Sequence, residues 1–60
     1  MNNIPNCKFM VNHNVRIKDL DLRGRVDRIT WNGYFWIVTV EYWFNADKKT
    51  VHLLEHEVEL

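Results

Sequence analysis

The sequence contains one cysteine, no serine, one proline and two glycines, and these scarcities exclude several classes of protein. Because Cys7 is alone, no internal disulfide is possible, and no histidine or cluster of cations flanks it to activate the thiol. Without serine or a glycine-rich loop, the chain has no motif for a nucleophile or for phosphate binding by an enzyme. We therefore expect no catalytic residues and no enzyme activity.

Long hydrophobic runs are also missing. No segment approaches the roughly 20 apolar residues of a membrane helix, and the first residues lack the basic start and apolar stretch of a signal peptide. We expect a soluble, cytoplasmic protein that binds no membrane, with a flexible N-terminal tail over residues 1–7 and one domain over residues 8–60. A chain of 60 residues buries only about 60% of its unfolded surface, so dense packing or association must stabilise it.

An excess of charge of either sign is absent, since eight Lys and Arg balance eight Asp and Glu. A dedicated nonspecific nucleic-acid binder is usually basic, so the balance argues against that class. The distribution along the chain is nevertheless uneven, with glutamates crowded at the end. Five cations are concentrated between residues 16 and 28: Arg16, Lys18, Arg23, Arg25 and Arg28. They form either part of a mixed, solvated surface or a basic patch that attracts an acidic partner.

Aromatic residues are abundant, and seven of the eight fall between Trp31 and Phe44. Aromatic and β-branched residues are typical of strands, so residues 33–44 are predicted to form one long strand. Alternation assigns one face to the core: Tyr34, Trp36, Val38, Val40, Tyr42 and Phe44. The opposite face carries Phe35, Ile37, Thr39, Glu41 and Trp43.

Short strands and turns are predicted for the rest of the chain. Asn32-Gly33 predicts a hairpin with a type I′ turn, and Gly24 predicts a kink or a positive φ just before a strand. Before the aromatic strand, the predicted segments are a strand that reaches Ile17 and is interrupted by a turn at 12–14, a loop at 19–23 and a strand at 25–31. After it, the predicted segments are a polar turn at 45–49, a strand at 50–54, a helical turn at 55–57 and a strand at 58–60. A helix over residues 51–60 is the alternative for the C-terminus.

This succession predicts an all-β protein, a small five-stranded barrel. Its predicted core is Val15, Ile17, Val26, Trp36, Val38, Val40, Val51, Leu53 and Val58.

Three stretches resemble the small SH3-like barrels. Phe9–Ile17 is similar to their opening strand and turn, although His-Asn stands where that family often has Gly-Asp. Gly24–Ile29 matches the Gly-x-Val-x-x-Ile pattern of KOW- and Tudor-like barrels. Tyr34–Phe44, with the turn and the C-terminal residues that follow, is similar to the later strands of small barrels from phages and plasmids. The resemblance implies an SH3-like barrel over residues 8–60, a fold that binds RNA, DNA, peptides or other proteins.

Particular residues argue against two hypotheses, a dihydrofolate reductase activity and a metal site. Plasmid-borne dihydrofolate reductases use a similar barrel as a tetramer, but their Val-Gln-Ile-Tyr stretch is replaced here by Thr50–Leu54. His52 and His56, with neighbouring glutamates, would share a face on a helix and could bind a metal. Because His52 falls on a predicted strand, we expect no metal and no cofactor.

Exposed aromatic rings are the main candidates for binding. Trp31, Phe35 and Trp43 are expected to contact a protein partner or a second copy of the chain in a homodimer. The favoured function is a non-enzymatic interaction module, encoded by a phage or mobile element, that acts as an adaptor or an inhibitor. The alternative is a KOW- or Tudor-like module that binds nucleic acid through Arg16, Lys18, Arg23, Arg25 and Arg28.

Overall fold

Five antiparallel strands form one sheet in the computed structural model, which describes residues 4–60. The strands are β1 (Asn14–Ile17), β2 (Leu22–Trp31), β3 (Trp36–Phe44), β4 (Asp47–Leu54) and β5 (Val58–Glu59), with a single 3₁₀ turn at Glu55–Glu57. The predicted all-β class and the helical turn at 55–57 are therefore confirmed. The alternative of a helix over residues 51–60 is wrong, since β4 pairs with β3 along its whole length.

The sheet has the strand order β4-β3-β2-β1-β5, which leaves β4 and β5 at its two edges. β5 returns to the first strand, where Val58 pairs with Ile17 and Glu59 pairs with Arg16. Within residues 4–60 no ladder joins β4 to β5, so the sheet is not closed. The predicted tail at residues 1–7 lies partly outside the described residues. Of the remainder, Cys7 is half-buried against the core, and the carbonyl of Pro5 accepts a hydrogen bond from Trp36 Nε1 at 2.7 Å.

The core contains eight buried apolar residues: Phe9, Val15, Ile17, Val26, Val38, Val40, Leu53 and Val58. All but Phe9 were expected from the period-two pattern. Two of the expected core residues are only half-buried, and these are Val51, which packs against the core, and Trp36. Trp36 is the first residue of β3 and therefore lies at one end of the strand rather than at its buried middle.

The aromatic strand is shorter than predicted, because β3 begins at Trp36 rather than at Gly33. Tyr34 and Phe44 were expected in the core, but their side chains are 85% and 48% exposed. Only the middle of β3 crosses the core. There the opposite face is covered as well, since Thr39 is buried and its hydroxyl lies 2.9 Å from His52 Nδ1.

A β-bulge in β2 changes which residues face the core. Val26 pairs with Val40 and Arg28 with Thr39, so Asp27 is an extra residue with no partner on β3. The extra residue shifts the alternation by one position. As a result Val26 and Ile29, three residues apart, both lie on the core side.

Gly24 lies inside β2 rather than before it, and its φ is not positive. The predictions that this glycine precedes the strand and has a positive φ are therefore wrong. A Cβ at this position would lie 2.5 Å from the carbonyl oxygen of Glu41 and 2.7 Å from Val40 Cγ1. Glycine is needed here because the backbone of β2 approaches β3 closely.

The two long hairpins use different turns from those predicted. The β2–β3 connection has four residues, 32–35, and only Gly33 has a positive φ, at 99°. Asn32 Oδ1 accepts hydrogen bonds from the backbone N–H groups of Tyr34 and Phe35, both at 2.9 Å. The type I′ prediction at this site is therefore wrong. The two-residue turn with φ positive at both positions joins β3 to β4 instead, at Asn45 and Ala46, with φ of 52° and 64°.

Ala46 in this turn carries a conformational strain that glycine would remove. A left-handed backbone costs an alanine about 1–2 kcal/mol, whereas glycine adopts it readily. We expect Ala46→Gly to raise the free energy of unfolding by about 0.5–1 kcal/mol. This gain is smaller than the strain that is removed, because glycine also has more conformational entropy in the unfolded chain, which opposes folding. Urea denaturation measures the change. Asn45→Gly is the matched control and should have little effect, since asparagine tolerates positive φ. An unchanged or lower stability of Ala46→Gly would contradict this account of the turn.

Candidate functional site

Pairing in the sheet gathers four arginines on the face opposite the core. Arg23 and Arg25 alternate along β2, and Arg23 pairs with Arg16 of β1. The bulge keeps Arg28 on the same side, because Arg28 pairs with Thr39 and Arg25 pairs with Glu41, two residues further along β3. Lys48 of β4 joins them opposite Trp43. We call this surface the basic face; it comprises Arg16, Arg23, Arg25, Arg28, Glu41, Trp43, Lys48 and Glu59.

Glu41 lies near the centre of the basic face and binds two of its cations. Its Oε1 accepts a hydrogen bond from Arg25 Nε at 3.0 Å and also contacts Arg25 Nη2. Its Oε2 lies 3.0 Å from Lys48 Nζ. The hydrogen bonds from Lys48 and Arg25 lower the pKa of this carboxyl group, so it stays ionised. Glu41 thereby positions Arg25 and Lys48 on either side of β3.

The other cations differ in how far their charge is balanced. Arg16 Nε lies 2.8 Å from Asp21 and its Nη1 lies 3.4 Å from Glu59. Arg23 donates a hydrogen bond to the neutral side chain of Asn14, at 3.1 Å. Arg28 is exposed and forms no salt bridge with any residue in 4–60. The uncompensated positive charge therefore lies on β2.

An open groove crosses the basic face between β2 and β4. Its lining consists of Asn14, Arg23, Gly24, Arg25, Glu41, Tyr42, Trp43 and Lys48. Trp43 is 68% exposed. The groove therefore combines three cations with an exposed flat ring, the combination that binds nucleic-acid strands in many proteins.

The residues proposed for nucleic-acid binding are only partly brought together. Arg16, Arg23, Arg25 and Arg28 share the basic face, whereas Lys18 lies in the turn after β1 and its backbone N–H binds the carbonyl of Glu57. Lys48 and Glu41 were not identified from the sequence. The missed signal is the two-residue turn at Asn45 and Ala46, which places Lys48 directly opposite Trp43.

The three rings proposed for protein binding lie in two places. Trp31 pairs with Trp36 at one end of the sheet, where their ring centroids are 5.4 Å apart with the rings inclined at 58°. Phe35, 46% exposed, precedes Trp36 in the hairpin connection. Trp43 lies seven residues beyond Trp36 on β3, about 23 Å along the strand. We call the first group, Trp31, Tyr34, Phe35 and Trp36, the aromatic tip.

The remaining reactive groups form no separate site in the described part of the chain. Burial is the largest of the effects that raise the pKa of the Cys7 thiol, which disfavours a reactive thiolate. No three His, Cys, Asp or Glu side chains among residues 4–60 lie close enough together to hold a metal ion. The same residues include no helix with the length and apolar character needed to cross a membrane.

Comparisons with known proteins found no family model, no curated protein and no solved structure that matches this chain.

Proposed function

We propose that this chain is a non-enzymatic module that binds nucleic acid on the basic face. One observation carries the proposal: in a chain of zero net charge, five cations share one face of the sheet, and within residues 4–60 only three carboxylates, those of Asp21, Glu41 and Glu59, form salt bridges with them. The balancing acidic residues lie mainly in turns and at the C-terminus. Such a separation of charge attracts a polyanion to one side of the molecule.

The spacing of the cations also suits a phosphate backbone. Arg23 and Arg25 are two residues apart on β2, about 7 Å along the strand, so their guanidinium groups can contact successive phosphates. Arg28 continues the row beyond the bulge. Phosphate contacts of this kind supply affinity and position but no sequence preference.

The SH3-like barrel remains our proposal for the complete fold. It is supported by the five strands and by the return of β5 to β1, which brings the first and last strands together. The relationship to KOW- and Tudor-like barrels, and the origin from a phage or mobile element, are hypotheses that rest on the sequence resemblance.

Salt dependence of binding tests the proposed function. We expect a fluorescently labelled oligonucleotide to bind with an affinity that falls steeply between about 50 and 200 mM salt, because phosphate contacts release counterions. The variant Arg23→Gln/Arg28→Gln removes two cations that form no salt bridge within residues 4–60. It should weaken binding and reduce the slope of log K against log salt by about 1 for each arginine that no longer meets a phosphate. Fluorescence anisotropy measures both quantities.

Two controls accompany this experiment. Lys18→Gln removes a cation outside the basic face and should leave affinity and slope unchanged. Arg16→Gln removes a cation of the basic face that Asp21 and Glu59 already neutralise. The loss of binding affinity should therefore be smaller than the loss caused by removing Arg23 or Arg28. A flat salt dependence, or equal losses of affinity for Lys18→Gln and for Arg23→Gln/Arg28→Gln, would contradict the proposal.

A protein partner or a homodimer is the second candidate, and the aromatic tip favours it. Tyr34 is 85% exposed beside Phe35, and exposed aromatic side chains often dominate the binding energy of protein interfaces. An adaptor or inhibitor would use this end of the sheet. Affinity capture with and without nuclease distinguishes a protein partner from nucleic acid, and sedimentation at rising protein concentration tests the homodimer.

A further inference from the structure

We infer that the basic face takes a single-stranded nucleic acid, with one base stacked on the indole of Trp43 and the adjoining phosphates bound by Arg23, Arg25 and Lys48. This inference rests on the proposed function and adds the class of ligand. Trp43 and the three cations line one groove, so the same short segment of ligand can contact all four.

The exposure of Trp43 is the first argument. A chain of 60 residues has few large apolar side chains with which to build a core, yet Trp43, near the end of β3, is 68% exposed. The ring is not an isolated exposed residue, because Lys48 pairs with Trp43 and lies on the same face of the sheet. A flat ring between cations offers both a stacking surface and charge neutralisation to the same ligand.

The position of Glu41 is the second argument. This carboxylate would repel a phosphate if it were open to the groove, but its side chain is only 13% exposed. Arg25 and Lys48 cover it from both sides. A phosphate in the groove therefore meets two preorganised cations at the surface.

The chemistry of the groove favours a single strand over its alternatives. In a duplex the bases are stacked on each other and paired, so none can present a face to Trp43 without being unstacked. An acidic peptide could satisfy the cations, but it would leave the exposed indole face without a partner. A nucleotide with an unpaired base supplies both a phosphate and a flat ring.

The experiment compares three probes by fluorescence anisotropy: a labelled single strand of mixed sequence, the duplex of the same sequence and polyglutamate of similar charge. We expect the single strand to bind at least tenfold more tightly than the other two. Trp43→Leu keeps an apolar side chain but removes the ring, and should weaken single-strand binding about tenfold. Trp43→Phe, the matched control, should retain most of the affinity. Because both variants keep every cation of the groove, the salt slope should stay at the wild-type value.

The outcomes separate this inference from the function on which it rests. Equal affinity for duplex and single strand, or equal affinity of Trp43→Leu and Trp43→Phe, would overturn the inference and leave nucleic-acid binding intact. Absence of binding to both nucleic acids, or tighter binding of polyglutamate, would overturn the proposed function as well. Thermal melting of each variant verifies the fold. Because Trp43 is exposed, substitutions at this position should leave the fold intact.

Discussion

Val38→Asp is expected to unfold the domain. Val38 is fully buried, and it pairs with Ile29 on β2 and Leu53 on β4 in the middle of the sheet. A buried carboxylate without a partner costs several kcal/mol, and the total stability of a 60-residue chain is about 3–9 kcal/mol at the usual value per residue. Circular dichroism at 25 °C should show loss of the β signal.

Two controls separate the buried charge from other effects of this substitution. Val38→Ala removes two methyl groups without adding a charge and should lower stability by only about 2 kcal/mol, leaving the protein folded. Thr30→Asp introduces the same carboxylate at an exposed position of β2 and should change stability by less than about 0.5 kcal/mol. A Val38→Asp protein that melts near the wild-type temperature would show that this face of β3 is not in the core.

Gly24→Ala is expected to have the second largest effect, through crowding between β2 and β3. The added Cβ would lie 2.5 Å from the Glu41 carbonyl oxygen, which belongs to the backbone and cannot rotate away. The two strands must separate locally, at a cost of about 1–3 kcal/mol by analogy with overpacked cores. Because Gly24 lines the groove, the movement should also displace Arg23 and Arg25 and weaken the proposed binding of nucleic acid.

Gly33 provides the matched control for this prediction. A Cβ there would meet no atom within 4 Å, but φ is +99°, so Gly33→Ala should cost only the conformational strain and leave binding unchanged. A synthetic chain with D-alanine at position 33 should lose that strain, since the D residue favours positive φ. Urea denaturation compares all three proteins. If Gly24→Ala is no less stable than wild type, β2 and β3 do not approach each other as closely as the structure indicates.

Alternation along the strands was sufficient to identify most of the core. Val15 with Ile17 and Val38 with Val40 are spaced by two residues, and all four are buried as predicted. The pattern failed at the ends of β3, where Tyr34 and Phe44 continue the same alternation but project beyond the core. Alternation identifies the face of a residue, whereas burial also requires another element above that face.

The candidate site was predictable only in part. The arginines of β2 were recognised as a group, but the sequence did not reveal that Asp27 forms a bulge and thereby keeps Arg28 on the same face as Arg25. The sequence predicts a polar turn at residues 45–49, which includes Lys48, whereas the tight turn at Asn45 and Ala46 makes Lys48 part of β4. Both omissions come from pairing register, which depends on the partner strand as well as on local preference.

The sequence by itself determined that this chain forms a sheet, because β-branched and aromatic residues with period-two spacing and a hairpin signal at Asn32-Gly33 are local properties. It also determined the absence of an internal disulfide, since Cys7 has no partner. Only the tertiary structure decided that Trp43 lies beside Lys48 and Arg25, and that Trp31 and Phe35 lie at the other end of the sheet. These relationships join residues distant in the chain, and they follow from bulges, turns and register that local composition does not specify.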